Sequence, residues 1–286
     1  MVKTYTSGPW TVAYTPEDGG RLTRLAYRGY DLLTAAPVDF RPPAADYGIY
    51  ETRPVYGYDD CFPSVRPSPY PGSEKQVPDH GELWQLEWEV LASENQLQFQ
   101  VKSELIPVRF TRRMHFSDHT LRWQFQVENL NENPLPFLHV IHPMMRLEEI
   151  QDIGFPAFNR VYDEIQEQDL PLDSPDAVTK FLLNRDRGTA NMIYLKDIHG
   201  QAIQWGYHNG LRIRMQYDDA LFRSVGIWWN RAGYPDEDGL RRTECAFEPI
   251  PGNSDHLQTS AADKSCFMIA PQEEMTWEVT WELREE

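Results

Sequence analysis

Cysteine is scarce: Cys61, Cys245 and Cys266 are the three in a chain of 286 residues, and no two form a C-x-x-C pair. An odd, widely spaced set argues against a disulfide framework and fits a reducing compartment. Basic clusters are missing as well. Lys and Arg total 27 against 44 Asp and Glu, the formal net charge is −17, and no Lys/Arg-rich run offsets it. No nucleic-acid partner is expected, because such proteins offer phosphates a basic patch; the acidic balance serves solubility and disfavours a polyanionic ligand. No stretch approaches the ~20 apolar residues needed to span a bilayer, and MVKTYTSGPW lacks the apolar core of a signal peptide. The expectation is a soluble, cytoplasmic protein with no membrane partner. There is no Ser nucleophile elbow, P-loop or dinucleotide fingerprint. Helical periodicity is equally sparse. SPDAVTKFLLN is the best candidate, with Ser174 as its cap and Pro175 in its first position.

What the chain does contain is period-two alternation. Leu121, Trp123, Phe125 and Val127 alternate with Arg122, Gln124, Gln126 and Glu128. Leu211, Ile213, Met215 and Tyr217 alternate with Arg212, Arg214 and Gln216, and Trp277, Val279, Trp281 and Leu283 with Glu278, Thr280 and Glu282. Strands with one wet and one buried face read this way, and they belong to antiparallel sheets. Such strands recur to residue 283 without a Gly/Ser linker, so residues 1–286 are expected to form one all-β domain of two large packed sheets. Nine Trp and fourteen Tyr suit strands and the lining of sites for flat, hydroxylated ligands. Residues 37–79 and 228–256 break the alternation with Pro, Tyr and Asp, as long functional loops do.

The histidines divide by context. His115 and His119 have H-x-x-x-H spacing, but VRFTRRMHFSDHT alternates as a strand and then turns, so they do not share a face as helical metal ligands would. His199 and His208 read as surface turn residues. In PFLHVIHPMMRLE, His139 and His142 lie three apart, which on a strand sends them to opposite faces. His142 precedes Pro143 and so sits in extended chain or a turn; a buried structural role and a site role both remain open for it. In VPDHGELWQLEW a turn holds His80, and the alternation of Leu86, Trp88 and Val90 places it at the mouth of a strand. Glu248, in ECAFEPIPG, has apolar neighbours and a following proline. It reads either as a surface charge or as a site base whose pKa burial would raise.

Together these segments resemble the aldose 1-epimerase, or galactose mutarotase-like, family. VPDHGELWQLEW is similar to its first histidine motif, LHVIHPMMRLE to its second, CAFEPIPGNSD to its late catalytic motif, and GYDDCFPSV to a stretch before the first histidine in some members. The resemblance runs over roughly residues 10–283. It implies an all-β galactose mutarotase-like β-supersandwich and an isomerase that interconverts the anomers of a free aldose. By this resemblance Glu248 is the general base on the anomeric hydroxyl, His142 the acid on the ring oxygen, and His80 a hydrogen-bonding partner near the same oxygen. Asp60, Trp84 and Trp228 are the expected substrate-binding residues, although core packing is an equal reading of either Trp. The chemistry calls for no metal or other cofactor. A small-molecule sugar is the expected partner, and the chain is expected to be a monomer or homodimer. Many relatives that act on phosphorylated hexoses carry an Arg just after the His-Gly step. Here Glu82-Leu83-Trp84 stands there, which favours a neutral sugar unless Arg53, Arg66 or Arg231 reaches the site from another loop. A hexose-6-phosphate 1-epimerase and a non-catalytic carbohydrate-binding protein are the two alternatives.

Overall fold

The computed structural model describes residues 1–44, 47–237 and 239–285. Its largest sheet has eight strands in the order Ile150–Gly154, Ala202–Tyr207, Leu211–Tyr217, Glu274–Glu285, Thr120–Asn129, Val108–Phe116, Gln96–Lys102 and Glu89–Ser93. A six-stranded sheet runs Lys3–Ser7, Trp10–Thr15, Arg21–Tyr27, Tyr58–Cys61, Val140–Pro143, with Tyr30–Asp31 paired to Arg21–Tyr27. A five-stranded sheet runs Gln168–Leu170, Arg160–Asp163, Thr189–Lys196, Ser224–Arg231, Thr243–Ile250. The ladders of all three are antiparallel. The all-β expectation therefore holds. The layering is finer than two sheets: the six- and five-stranded sheets lie side by side and share one face of the eight-stranded sheet.

The alternation read from the sequence becomes burial. Thr120–Asn129 and Glu274–Glu285 bury every second residue, and Phe125 stands directly across from Trp277 in the ladder. Their rings stack with centroids 5.9 Å apart, the cross-strand aromatic pairing that stabilises sheets. Tyr58 of the six-stranded sheet stacks on Trp123 at 4.6 Å, while Phe247 of the five-stranded sheet packs on Trp205 at 5.3 Å. One large sheet thus supplies both halves of the core. Truncating such a fully buried ring costs about 3–5 kcal/mol. The expected helix is Pro175–Leu183, and Ser174 Oγ accepts from Ala177 N at 3.3 Å. A second helix, Leu257–Ala262, had no clear signal. Among the described residues no helix is long and apolar enough to cross a membrane.

The six- and five-stranded sheets meet at a bridge between Met145 and Cys245. Next to it, Val140–Pro143 and Thr243–Ile250 run side by side. Chain segments from both sheets and from the loops around residues 50 and 80 close over this seam.

Candidate active site

Register places the first pair of groups. Val140–Pro143 pairs with Tyr58–Cys61 so that His142 stands opposite Asp59 and Val140 opposite Cys61. These four share one face, and of them His142 lines a hollow of about 380 Å³, within the range of small-molecule sites. Ile141 and Asp60 share the other face, which looks into the core. His142 is 6 % exposed. Its Nδ1 lies 2.9 Å from Asp59 Oδ1, and Asp59 also accepts from Tyr50 Oη at 2.8 Å and from the Arg21 guanidinium at 3.3 Å. Burial alone would raise the Asp59 pKa, but Arg21, His142 and Tyr50 overcome it and hold the carboxyl below its ordinary value. With Nδ1 committed to a carboxylate, Nε2 is the nitrogen left to face the hollow.

Glu248 comes from the other sheet. It stands opposite Gly226 on Ser224–Arg231, where a Cβ would lie 3.2 Å from Glu248 Oε2, so the glycine makes room for the carboxylate. Glu248 is 3 % exposed, and its Oε1 lies 3.9 Å from His142 Nε2. Burial raises its pKa, the imidazoles of His142 and His80 pull it down, and Asp255 and Asp59 push it up again; the balance is a raised value.

His80 arrives on a turn. Gly81 has φ +72, and a Cβ there would sit 1.9 Å from the Phe62 carbonyl oxygen, so the backbones touch and only glycine fits. His80 is itself left-handed at φ 58, a conformation His tolerates better than most residues. The ring stacks on Tyr50 at 3.9 Å with planes 13° apart and lies 5.1 Å from the His142 ring. Its Nδ1 is 3.0 Å from Asp79 Oδ2. Burial lowers the His80 pKa, but Asp79, with Asp59 and Glu51 behind it, raises it further. The sequence expectation of a following strand fails: a short 3-10 turn, Leu83–Gln85, comes first, and the strand begins at Glu89. The close approach at Gly81 redirects the chain, which alternation cannot register.

His80, His142 and Glu248 therefore converge on one hollow. The other expected residues fare differently. Trp228 lines it, with Nε1 donating to Glu244 at 3.0 Å. Trp84 lies behind Tyr50, ring to ring at 5.4 Å, with Nε1 donating to Gly81 O at 2.7 Å. It supports the wall and does not line it. Asp60 is turned the other way, bonded to His139 and Tyr58 and paired with Arg112 inside the core. A carboxylate one residue along a strand points to the opposite face, and Asp59 is the one that reaches the site. His139 lies on the core face, opposite in direction to His142 as their spacing implies; His199 and His208 are exposed. Glu82 does not face the hollow either. Its carboxylate is buried and accepts from Ser103 Oγ and from the Glu104 and Leu105 amides, so its charge says nothing about the ligand.

Sequence reasoning passed over Asp59, Tyr50, Asp79 and Arg242. Arg242 lines the hollow between Glu51 at 2.9 Å and Glu244 at 3.2 Å. Arg66 also lines it, paired with Glu164. Arg53 instead donates to the Trp84 carbonyl and to Asp18, and Arg231 to the Arg185 carbonyl.

No family model matches the chain, and no curated protein matches it in sequence. Solved structures do. The Slr1438 protein from Synechocystis sp. PCC 6803 superposes with a TM-score of 0.76 at 14% identity, covering 100% of this chain and 96% of that one. A protein from Escherichia coli K12, provisionally named an aldose 1-epimerase, gives 0.72 at 16% identity over 100% and 99%. A galactose mutarotase related enzyme from Lactobacillus acidophilus gives 0.69 at 16% identity over 100% and 98%. Identities this low speak for architecture, and the architecture agrees with what the sequence resemblance implied: this chain has the galactose mutarotase-like fold.

Proposed function

We propose that this protein is an aldose 1-epimerase acting on a free, unphosphorylated aldose. The observation that carries the reading is the convergence of Glu248, His142 and His80, distant in sequence, on one hollow, with His142 oriented by Asp59.

In the forward half of the reaction Glu248 takes the proton of the anomeric hydroxyl. The bond between the anomeric carbon and the ring oxygen breaks, the anomeric oxygen becomes the carbonyl, and His142 Nε2–H delivers a proton to the ring oxygen. The aldehyde turns about the bond to its neighbouring carbon. The former ring oxygen then attacks the other carbonyl face and returns its proton to His142, and Glu248 gives its own proton to the carbonyl oxygen, which becomes the new anomeric hydroxyl. Each proton transfer of this kind contributes about 10²–10⁴-fold. The raised pKa of Glu248 makes it a stronger base than a surface carboxylate. The Asp59 carboxylate holds the His142 ring through Nδ1 and leaves Nε2 turned to the sugar. His80, with its own raised pKa, is a donor to the same region of the sugar, and Trp228 offers a flat apolar surface to the pyranose.

Support for a neutral sugar comes from the charges at the hollow. Both lining cations are neutralised, Arg66 by Glu164 and Arg242 by Glu51 and Glu244, while Asp79, Glu248 and Asp255 add negative charge. A phosphoryl group there would have to displace a carboxylate from an arginine.

Polarimetry on freshly dissolved α-D-glucose and α-D-galactose tests the reading, alongside the 6-phosphates. The expected result is acceleration over buffer with free sugars and indifference to inorganic phosphate. Rates equal to the buffer rate across a broad sugar panel overturn it. Turnover confined to 6-phosphates, with inhibition by phosphate, replaces the substrate class. Sugar binding that survives His142→Ala, with no catalysed exchange, makes the protein a carbohydrate binder.

A further inference from the structure

Cys61 has no part in the proton transfers above, yet it stands in their midst. It is 1 % exposed and lies two residues along the strand from Asp59, on the same face. One donor atom each from Cys61, His80 and His142 lies within 4.8 Å of the other two. Asp79 Oδ2 lies 3.0 Å from His80 Nδ1 as an ion-pair neighbour without an aligned hydrogen bond, and His142 Nδ1 is hydrogen-bonded to Asp59 at 2.9 Å. The His142 arrangement is how metal-binding histidines are held: the carboxylate fixes the ring and tautomer and leaves the other nitrogen to the ion. Glu248 Oε1, 3.9 Å from His142 Nε2, offers a fourth donor at the same place.

The donor set selects the ion. A thiolate, two imidazoles and a carboxylate suit Zn²⁺, whereas Mg²⁺ and Ca²⁺ demand oxygen ligands. Tetrahedral Zn²⁺ with bonds of about 2.0–2.3 Å puts its ligands about 3.3–3.8 Å apart, so the present cluster has to contract by about 1 Å. That is within the reach of side-chain rotation for His80, which sits on a turn and keeps part of its surface in solvent. The surroundings favour a dication, since Asp59, Asp79 and Glu248 gather there against the nearest buried cation, Arg21.

The geometry points to a Zn²⁺ site formed by Cys61, His80 and His142 and completed by Glu248, and so to zinc as a reversible inhibitor that competes with the sugar. Binding replaces the thiol proton, which leaves to the buffer, and no electron is transferred. Inhibition rests on the epimerase reading, because the ion occupies the imidazole and carboxylate atoms that move protons; binding rests on the cluster alone.

The test uses full-length protein stripped with EDTA and dialysed into phosphate-free buffer. Calorimetric titration with ZnCl₂ is expected to give one ion per chain, with protons released in step. Cys61→Ser weakens it about tenfold or more, Asp79→Asn about 10–100-fold, and Cys266→Ser leaves it unchanged. Asp79 is partly exposed, so its variant keeps the test meaningful if Cys61→Ser folds poorly. CoCl₂ gives the wild type a thiolate-to-metal charge-transfer band in the near ultraviolet that Cys61→Ser lacks. In polarimetry, ZnCl₂ raises the apparent KM for the sugar and EDTA restores the rate. Absence of saturable binding overturns the inference, and so does binding that is insensitive to Cys61→Ser with no charge-transfer band. Zinc binding by a chain that turns over no sugar keeps the site and overturns only the epimerase reading; sugar turnover by a chain that shows no saturable zinc binding does the reverse.

Discussion

Glu248→Gln separates chemistry from folding, because the same carboxylate is expected to serve one and burden the other. Among the described residues no protein group donates a hydrogen bond to it, and Pro249, next in the chain, has no N–H to offer. The nearest ionisable partner is His142 Nε2 at 3.9 Å. Burial raises its pKa above the ordinary 4.5, with the neighbouring imidazoles only partly offsetting it. A group whose pKa rises on folding favours the folded state below its unfolded value and loses that advantage as pH climbs through the folded value. At pH 7 to 8, ionised Glu248 is therefore a net burden on stability, and Gln, of the same shape without the charge, relieves it. Each pKa unit of displacement corresponds to about 1.4 kcal/mol, and about 1 kcal/mol moves the Tm of a chain of this size by about 2–4 °C.

The expected signature is a kcat lowered about 10²–10⁴-fold together with a Tm equal to or a few degrees above wild type at pH 7 to 8. The Tm gap should close as pH falls below about 4.5, where the wild-type carboxyl is protonated in both states. Polarimetry and calorimetric melting, both with EDTA present, read the two quantities on one preparation. A Tm several degrees lower, tracking the loss of rate, would make Glu248 a structural residue. Retention of more than a tenth of the activity would remove it from the mechanism.

Three further outcomes follow from named contacts. Asp59→Asn takes the counter-charge from Arg21, which is fully buried, and leaves an uncharged amide beside His142 Nδ1. Breaking such a pair costs about 3–5 kcal/mol, toward the lower end here because Arg21 also bonds Asp18 and the Tyr56 carbonyl. Since the Asp59 pKa is lowered on folding, its stabilisation is present above the unfolded value and lost as pH falls through the folded one, so urea unfolding curves of variant and wild type should converge only in strong acid. Gly81→Ala places a methyl against the Phe62 carbonyl at positive φ and should lower stability by about 1–3 kcal/mol or more, with a drop in polarimetric rate as His80 is displaced. Trp228→Ala should raise KM about 2–10-fold, as loss of an aromatic face worth about 0.5–1.5 kcal/mol predicts, with kcat within about twofold.

What the sequence disclosed is what strand periodicity and turn chemistry can encode. Alternation at Thr120–Asn129 and Glu274–Glu285 predicted the buried faces, and Ser174-Pro175 predicted a helix start; both are local signals with one dominant cause. Sheet count was less legible. Whether two antiparallel sheets lie side by side or merge depends on pairings such as Met145 with Cys245, a hundred residues apart in sequence. The segment after His80 misled because Leu86 and Trp88 alternate, while a backbone contact between Gly81 and Phe62 decides the path.

The choice of Asp60 over Asp59 shows where local reading stops and pairing begins. In Tyr58-Asp59-Asp60-Cys61 every residue is buried, so no polar-out pattern marks a side. Likewise every residue of Val140–Pro143 is buried. Only the ladder between them assigns faces: His142 opposite Asp59, Ile141 opposite Asp60. A slip of one residue would deliver Asp60 to His142 and leave Arg112 in the core without its carboxylate, and Arg21 without Asp59. Two fully buried guanidiniums, each matched to one aspartate on one face of the same strand, thus penalise the wrong register from both sides. The ion pairs that hold the core in line are therefore also what aims His142 into the hollow. This is why the geometry of the candidate site is expected to be sensitive to Arg112 and Arg21, neither of which lines it.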